Sequence, residues 1–299
     1  MPVAVNSKSM LSIVVPVHNM AGRLGNLENS LKTTQELGLP IQFVLVQDGI
    51  DIGTRKELSD LSKKYDAAFL QVDLGSPGLA RNAGIEFCKS PWIAFWDSDD
   101  QGNPEEVIKE LLHARPEKKV IVGSFRKMDL KKNQLSKLRK PSKFLSLLMI
   151  NPGIWRFVFR REAVGDIRFP KGSMGEDQIF LARLQISSAE LVQSSSDFYT
   201  YFTSVPNQLT SRRDKVSDLT TSINAVNEIV EAGVKCHLYV FTIRAKLFLS
   251  ASKRRLISKN ELLHSMVGDS SFSLSSRLKC LVGFAFAIVV TLKQAIFTA

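Results

Sequence analysis

The 299-residue sequence has no apolar run long enough to cross a bilayer. Its longest, CLVGFAFAIVVTL from Cys280 to Leu292, has 13 residues, where a spanning helix needs about 20. Arg277, Lys279 and Lys293 flank it, so it reads either as a buried helix or as one lying in the plane of a membrane. The opening MPVAVNSKSM lacks the apolar stretch of a signal peptide. Cysteine is scarce: Cys88, Cys236 and Cys280 show neither paired nor metal-type spacing, which argues against a disulfide framework. His18, His113, His237 and His264 show no ligand spacing either, which argues against zinc. A reducing, cytoplasmic setting is expected, with at most peripheral contact to the membrane. Residues 215–299 contain no proline and three glycines, and there is no repeat or low-complexity tract.

Positive charge is plentiful. The net charge is +11; residues 206–299 carry 13 Lys/Arg against 6 Asp/Glu, and Arg126 to Lys143 hold 8 Lys/Arg against the single acid Asp129. Such a balance suits anionic partners. The basic residues lack the interleaved aromatics of single-strand binders, so no nucleic-acid partner is expected.

In the first half, short apolar runs alternate with helical patterns. LSIVVPV, IQFVLVQ, AAFLQVD and WIAFW read as strands. Between them lie helices over 22–37 (stripe Leu24, Leu27, Leu31, Leu37), 54–65 and 78–89 (face Leu79, Ala83, Phe87). This rhythm predicts a doubly wound, mostly parallel α/β sheet, with ligands beyond the carboxyl ends of its strands. A helix over 104–114 and a strand KVIVGSF follow; Arg126 to Lys143 reads as a mobile loop, and GIWRFVFRREAV as a strand running into a short helix. Four helices are expected at 215–233, 236–252, 258–267 and 274–297. The domains expected are 1–213 and a C-terminal helical region, 214–299.

The loops after the strands carry the candidates. Asp97-Ser98-Asp99 places two carboxylates at a strand end, on one face if the segment is extended, a hard-oxygen pair suited to Mg²⁺ or Mn²⁺ carrying phosphates. Asp100 would support the next helix. GSPGLARNAG turns from a Gly-rich loop into a helix bearing Arg81 and Asn82, a pattern that favours phosphate. Asp48 follows the second strand, where a carboxylate can accept from a base or ribose; an Asp-Gly turn is the alternative. Glu176 and Asp177 open a helix, where acids also simply suit the dipole.

Together these pieces resemble the family 2 glycosyltransferases of GT-A fold, over roughly Leu11 to Arg213. SIVVPVHN is similar to the family's opening strand and nucleotide-contacting turn, VLVQDG to its base-binding strand end, GSPGLARNAGI to its ARN-x-G segment, IAFWDSDD to its metal motif and GEDQIF to its late ED motif. The resemblance implies an inverting transfer from a nucleotide-diphosphate sugar, with UDP favoured, to a glycan or lipid-linked acceptor in cell-surface glycan or polysaccharide synthesis. By position, Pro16, Val17, His18, Asn19 and Asp48 would line the base pocket, and Arg81, Asn82 and Ser98 would contact the donor. Asp97 would touch the donor's ribose or the divalent cation, Asp99 would ligate the cation, Asp177 would be the general base, and Glu176 beside it would orient groups or bind acceptor. Two departures stand out: Gln47 where an acid often precedes the aspartate, and Ile50 in place of a small polar residue. The segment YFTSVPNQLTSRR, similar to the one that closes over the diphosphate, lacks the usual histidine; Asn207, Thr210, Arg212 and Arg213 are candidate substitutes. The competing readings are a nucleotidyltransferase acting on a sugar phosphate and a non-catalytic anion- or nucleic-acid-binding module.

Overall fold

The computed structural model describes residues 9–141, 153–172, 175–187, 189–204, 216–232, 238–253, 256–267 and 274–296. These fall into two compact units, one within Met1–Pro141, Gly153–Lys171 and Ala189–Ser211, the other within Ser142–Pro152, Gly172–Ser188 and Arg212–Ala299.

The first unit is built on a sheet. Its strands are β1 (Leu11–Val17), β2 (Ile41–Asp48), β3 (Ala68–Val72), β4 (Trp92–Phe95), β5 (Gln101–Gly102), β6 (Val120–Asp129), β7 (Gln134–Leu135), β8 (Phe157–Arg160) and β9 (Leu191–Thr203). The order is β3-β2-β1-β4-β8-β6-β9-β5, with β7 paired to β6. The β3-β2-β1-β4 half is parallel throughout. β8 is inserted antiparallel between β4 and β6, and β6 and β9 run parallel. Helices α1 (Gly25–Glu36), α2 (Ile52–Lys64), α3 (Pro77–Ile85) and α4 (Pro104–Leu112) follow β1, β2, β3 and β5, and the short α5 (Arg161–Val164) follows β8. The four parallel strands and the crossover helices thus stand where the hydrophobic periodicity placed them. β1 is buried along nearly its whole length, the signature of a strand covered on both faces.

Helix α3 departs from the expected face. It ends at Ile85 and buries Gly78, Ala80, Arg81, Gly84 and Ile85, whereas Phe87 is 40% exposed. The small residues face the sheet because the backbone comes close to it: a Cβ on Gly84 would lie 2.3 Å from Val14 Cγ1. Leu37 likewise falls outside the buried stripe of α1, at 51% exposure. The expected mobile loop after Phe125 is largely a hairpin: β6 continues to Asp129 and turns into β7, and Phe125 also bridges to Arg139. Lys143 lies outside the described residues. The polar strand β9, LVQSSSDFYTYFT, has no clear alternation and was not anticipated.

The second unit is helical: α6 (Glu176–Leu184), α7 (Val216–Glu231), α8 (Leu238–Lys253), α9 (Lys259–Val267) and α10 (Leu274–Ile296). The last four match the expected helices within a few residues. Helix α6 packs on α7 and α8 and so groups with the C-terminal helices, although the sequence was divided at 213. Cys88 and Cys280 are buried free thiols; Cys236 lies outside the described residues. No helix among the described residues is long and apolar enough to cross a membrane.

Two predictions follow from this packing. Gly84→Ala should destabilise the first unit by about 1–3 kcal/mol, because a methyl has no room against Val14; a denaturant melt measures it. In the second unit, burial lowers Lys246 on α8 from 10.5 to about 8. Between those values the unfolded chain binds a proton that the folded chain does not, so stability rises with pH across that window and the penalty is complete below about 8. Lys246→Met should therefore stabilise by about 2 kcal/mol near neutral pH and by little above the upper value, as read from denaturant melts of both proteins at each pH.

Candidate active site

The candidate residues of the first unit converge on the loops beyond the carboxyl ends of β1, β2 and β4, with α3 beside them. After β1 the chain turns at His18 and Asn19, the latter at φ +50°. His18 Nδ1 lies 2.6 Å from the Asp48 carbonyl oxygen. Because a carbonyl only accepts, Nδ1 carries the proton, which leaves Nε2 to accept from the Asn19 side-chain amide at 3.1 Å. The imidazole lies against Gly49, where φ is +110° and a Cβ would sit 3.3 Å from Nδ1. Pro16 is half-buried and Val17 buried.

Asp48, at the end of β2, is buried and holds the β3–α3 loop. Its Oδ1 accepts from Leu74 N at 2.6 Å and Gly75 N at 3.1 Å, and its Oδ2 from Ser76 N at 2.9 Å. Ser76 caps α3 in turn. Next to it, Gln47 is 1% exposed; its Nε2 donates to Asp51 O at 2.8 Å, while its Oε1 is buried without a hydrogen-bond partner among the described residues. Ile50 is 75% exposed.

Arg81 points from α3 toward the turn after β4. Its Nη2 lies 2.9 Å from Asp97 Oδ1, with the arginine 4% and the aspartate 29% exposed. The guanidinium also stands over the Phe169 ring, 5.4 Å from its centroid. Asn82 is engaged twice with one residue: its Nδ2 donates to Phe169 O at 2.9 Å and its Oδ1 accepts from Phe169 N at 2.8 Å. In this structure Asn82 therefore positions the Phe169 segment under Arg81.

The acidic stretch is a turn. β4 ends at Phe95, and Asp100 N donates to Asp97 O at 3.3 Å, so strand alternation does not govern the placement of Asp97 and Asp99. Asp100 does not support α4. Asn103 caps that helix through Oδ1 to Glu106 N, while Asp100 Oδ1 accepts from Phe202 N of β9 at 2.7 Å. The buried Asp100 carboxyl also faces the Tyr199 hydroxyl, which offsets a small part of the cost of its burial. Burial, followed by the charges of Asp97 and Asp99, raises the Asp100 pKa well above the ordinary range. Ser98 is buried and Asp99 half-buried; Asn26 of α1 donates to the Asp99 carbonyl at 3.0 Å.

Tyr199 is the residue that the motifs missed. Its hydroxyl accepts from Asp97 N at 3.0 Å, and its ring stacks on Trp155 with centroids 4.6 Å apart. The alternating aromatics of DFYTYF were its only trace in the sequence. Arg156, also missed, is buried with Nε and Nη2 on Gly123 O at 3.1 and 2.8 Å; burial lowers it to about 10.

Among the described residues no group of three or more His, Cys, Asp or Glu is placed to hold a metal. A cation that keeps waters and takes phosphate oxygens needs only one or two carboxylates. Asp97 and Asp99 are the two half-buried carboxylates of this turn, of the residue type that such a role needs.

Glu176 and Asp177 open α6 in the second unit, after Gly175 at φ +86°. Glu176 is buried and Asp177 half-buried. A Cβ on Gly175 would come within 2.7 Å of Ser222 Oγ on α7, so the close seating of the helix start requires glycine. Asn207, Thr210, Arg212 and Arg213 lie outside the described residues.

A family model, glycosyl transferase family 2, matches residues 12–174, more than half of the chain. The chain belongs to that family. It is 28% identical over 169 residues to a Haemophilus influenzae protein named "Uncharacterized glycosyltransferase", covering 54% of this chain and 66% of that one, just under two thirds of the relative's length. Among solved structures, S. aureus TarS 1–349 in complex with UDP-GlcNAc superposes with a TM-score of 0.62 at 17% identity, covering 94% of this chain and 81% of that one. The mannosyltransferase PcManGT from Pyrobaculum calidifontis, in complex with GDP-Man and Mn²⁺, gives 0.50 at 13%, covering 95% and 91%. These likenesses establish the GT-A fold for this family 2 chain.

The Arg81–Asp97 pair gives a direct test. Arg81→Met should cost about 1–2 kcal/mol, because it leaves Asp97 beside two other acids without its cation, while the 29% exposure of Asp97 lets solvent screen the charge. Adding Asp97→Asn should return part of that loss, and a double-mutant cycle in thermal or denaturant melts measures the coupling.

Proposed function

We propose that the protein is a metal-dependent, inverting glycosyltransferase that moves a sugar from a UDP-sugar to an acceptor hydroxyl on a cell-surface glycan or a lipid-linked precursor. The observation that carries this reading is the buried Arg81–Asp97 pair at the carboxyl end of the parallel strands, the place where open α/β sheets bind ligands. TarS, the neighbour with the higher TM-score of the two, was solved with UDP-GlcNAc, which supports uridine; PcManGT, solved with Mn²⁺, supports the metal.

In this reading Pro16, Val17, His18, Asn19 and Asp48 border the base, and Arg81 and Ser98 face the donor diphosphate. Asn82 acts through the Phe169 segment. Asp97 and Asp99 hold the divalent ion, which when bound supplies positive charge to the leaving diphosphate. Asp177 takes the proton of the acceptor hydroxyl as its oxygen bonds to the anomeric carbon. The bond from that carbon to the diphosphate oxygen breaks on the opposite side, so configuration inverts. Glu176 orients groups around Asp177.

The catalytic domain is taken as 1–213 and the remainder as an appendage for the acceptor or for the cytoplasmic membrane face. Helix α10 supports the second part: Leu274, Leu278, Leu281 and Ile288 are 85%, 62%, 46% and 41% exposed, at a spacing that aligns them on one side of the helix.

Purified protein incubated with UDP-sugars and acceptor glycans should release UDP. Release of pyrophosphate would instead identify nucleotidyl transfer. Asp177→Asn should bind donor normally and lose transfer about 100- to 10,000-fold; transfer at the normal rate would remove Asp177 as the base. Mn²⁺-dependent thermal stabilisation by the donor should disappear in Asp99→Asn, as melting curves with and without metal would show.

A further inference from the structure

The β6–β7 hairpin is built from unusual material. Four lysines elsewhere on the first unit form ion pairs: Lys32 with Glu36, Lys64 with Glu28, Lys109 with Glu105 and Glu106, and Lys119 with Glu190. On the hairpin, Lys131, Lys132, Lys137, Arg139 and Lys140 are all exposed, and none forms an ion pair among the described residues. The one acid in the segment is spent on the turn. Asp129 Oδ1 accepts from Lys131 N at 3.0 Å, Lys132 N at 3.2 Å and Ser204 Oγ at 3.2 Å.

Apolar side chains stand among these cations. Leu130 and Leu135, on either side of the turn, are 45% and 52% exposed. The tip is rigidly presented, since Leu130 N donates to Thr203 O of β9 at 3.2 Å, Ser136 N to Lys127 O at 2.8 Å and Arg139 N to Phe125 O at 2.8 Å. Asn133, at φ +48°, closes the turn. Cations alone would suit any polyanion. Exposed leucines between them suit a partner with a charged surface over an apolar interior, which a soluble phosphate or glycan polymer does not have.

We propose that the β6–β7 hairpin docks on an anionic lipid bilayer, with Leu130 and Leu135 entering the headgroup boundary and Lys131, Lys132, Lys137, Arg139 and Lys140 facing lipid phosphates. The base of the hairpin adjoins the acidic turn, since Met128 pairs with Phe202, whose amide donates to Asp100, but the lipid contact is argued from the tip alone and does not depend on the transferase reading.

The test is flotation of the full chain with vesicles of equimolar phosphatidylglycerol and phosphatidylcholine, against vesicles of phosphatidylcholine alone. Binding is expected to the anionic vesicles only. Lys131→Gln with Lys132→Gln should lower the partition coefficient roughly thirtyfold, about fivefold per charge. Leu130→Ser with Leu135→Ser should lower it as well, while the melting temperature and UDP-sugar binding of both variants stay at the wild-type level. Equal binding to neutral vesicles would overturn the proposal. So would hairpin variants that float like wild type while Leu278→Ser with Leu281→Ser does not. Retained vesicle affinity in the leucine variant, with full competition by soluble polyphosphate, would also overturn it and identify the hairpin as a polyanion site.

Discussion

The buried Arg81–Asp97 pair is the constraint around which the site is arranged. A guanidinium that is 4% exposed is tolerable only with a carboxylate close by and with its remaining surface packed. Asp97 supplies the charge and Phe169 the face. Both depend on α3 lying close to β1, which the missing Cβ of Gly84 permits. Asn82, one residue on, holds Phe169 by two main-chain bonds. A helix that presented its large residues to the sheet would stand further out and leave Arg81 short of the turn. The ARN-x-G pattern is thus one device: the arginine carries the charge, the asparagine fixes what the arginine lies against, and the glycine sets how close the helix comes.

The opposite side of the turn is held by β9. Tyr199 takes the Asp97 amide and Phe202 gives its own amide to Asp100, so the acidic turn is clamped between α3 and β9. The clamp retains repulsion. Asp100 is buried next to Asp97 and Asp99, and its pKa is raised for that reason. Asp97 and Asp99 act on the buried Asp100 as negative potential at the turn. A divalent cation bound there with a diphosphate would relieve that potential.

The parallel half of the sheet was legible because buried parallel strands are written as continuous apolar runs, and LSIVVPV is one. The first four motifs were legible for the same reason, since each follows a strand; GEDQIF instead opens α6. The face of α3 was misread because helical periodicity counts large apolar residues, and this helix meets the sheet through small ones. β9 was invisible: its serines carry no hydrophobic signal, and its strand state comes from pairing with β6. The hairpin was taken for a loop because lysine density resembles solvation, whereas its order rests on main-chain pairing and on Asp129. Asp48 was read as a ligand residue from its place after β2; that three amides from the β3–α3 loop converge on it could be seen only in three dimensions.

That convergence limits what Asp48 can still accept. A carboxylate offers about four lone-pair directions. Oδ1 of Asp48 uses two, on Leu74 and Gly75, and Oδ2 uses one, on Ser76. One direction on Oδ2 is left, so Asp48 can hold the loop and still accept a single N–H. Beside it, Gln47 brings an amide whose Nε2 is already committed to Asp51 and whose Oε1 has no hydrogen-bond partner among the described residues. A neutral amide at this position places no second charge beside the buried Asp48. It leaves one carboxylate to be satisfied by the loop rather than two to be kept apart, and the loop that begins α3, and with it Arg81, gains a firm anchor at the end of β2.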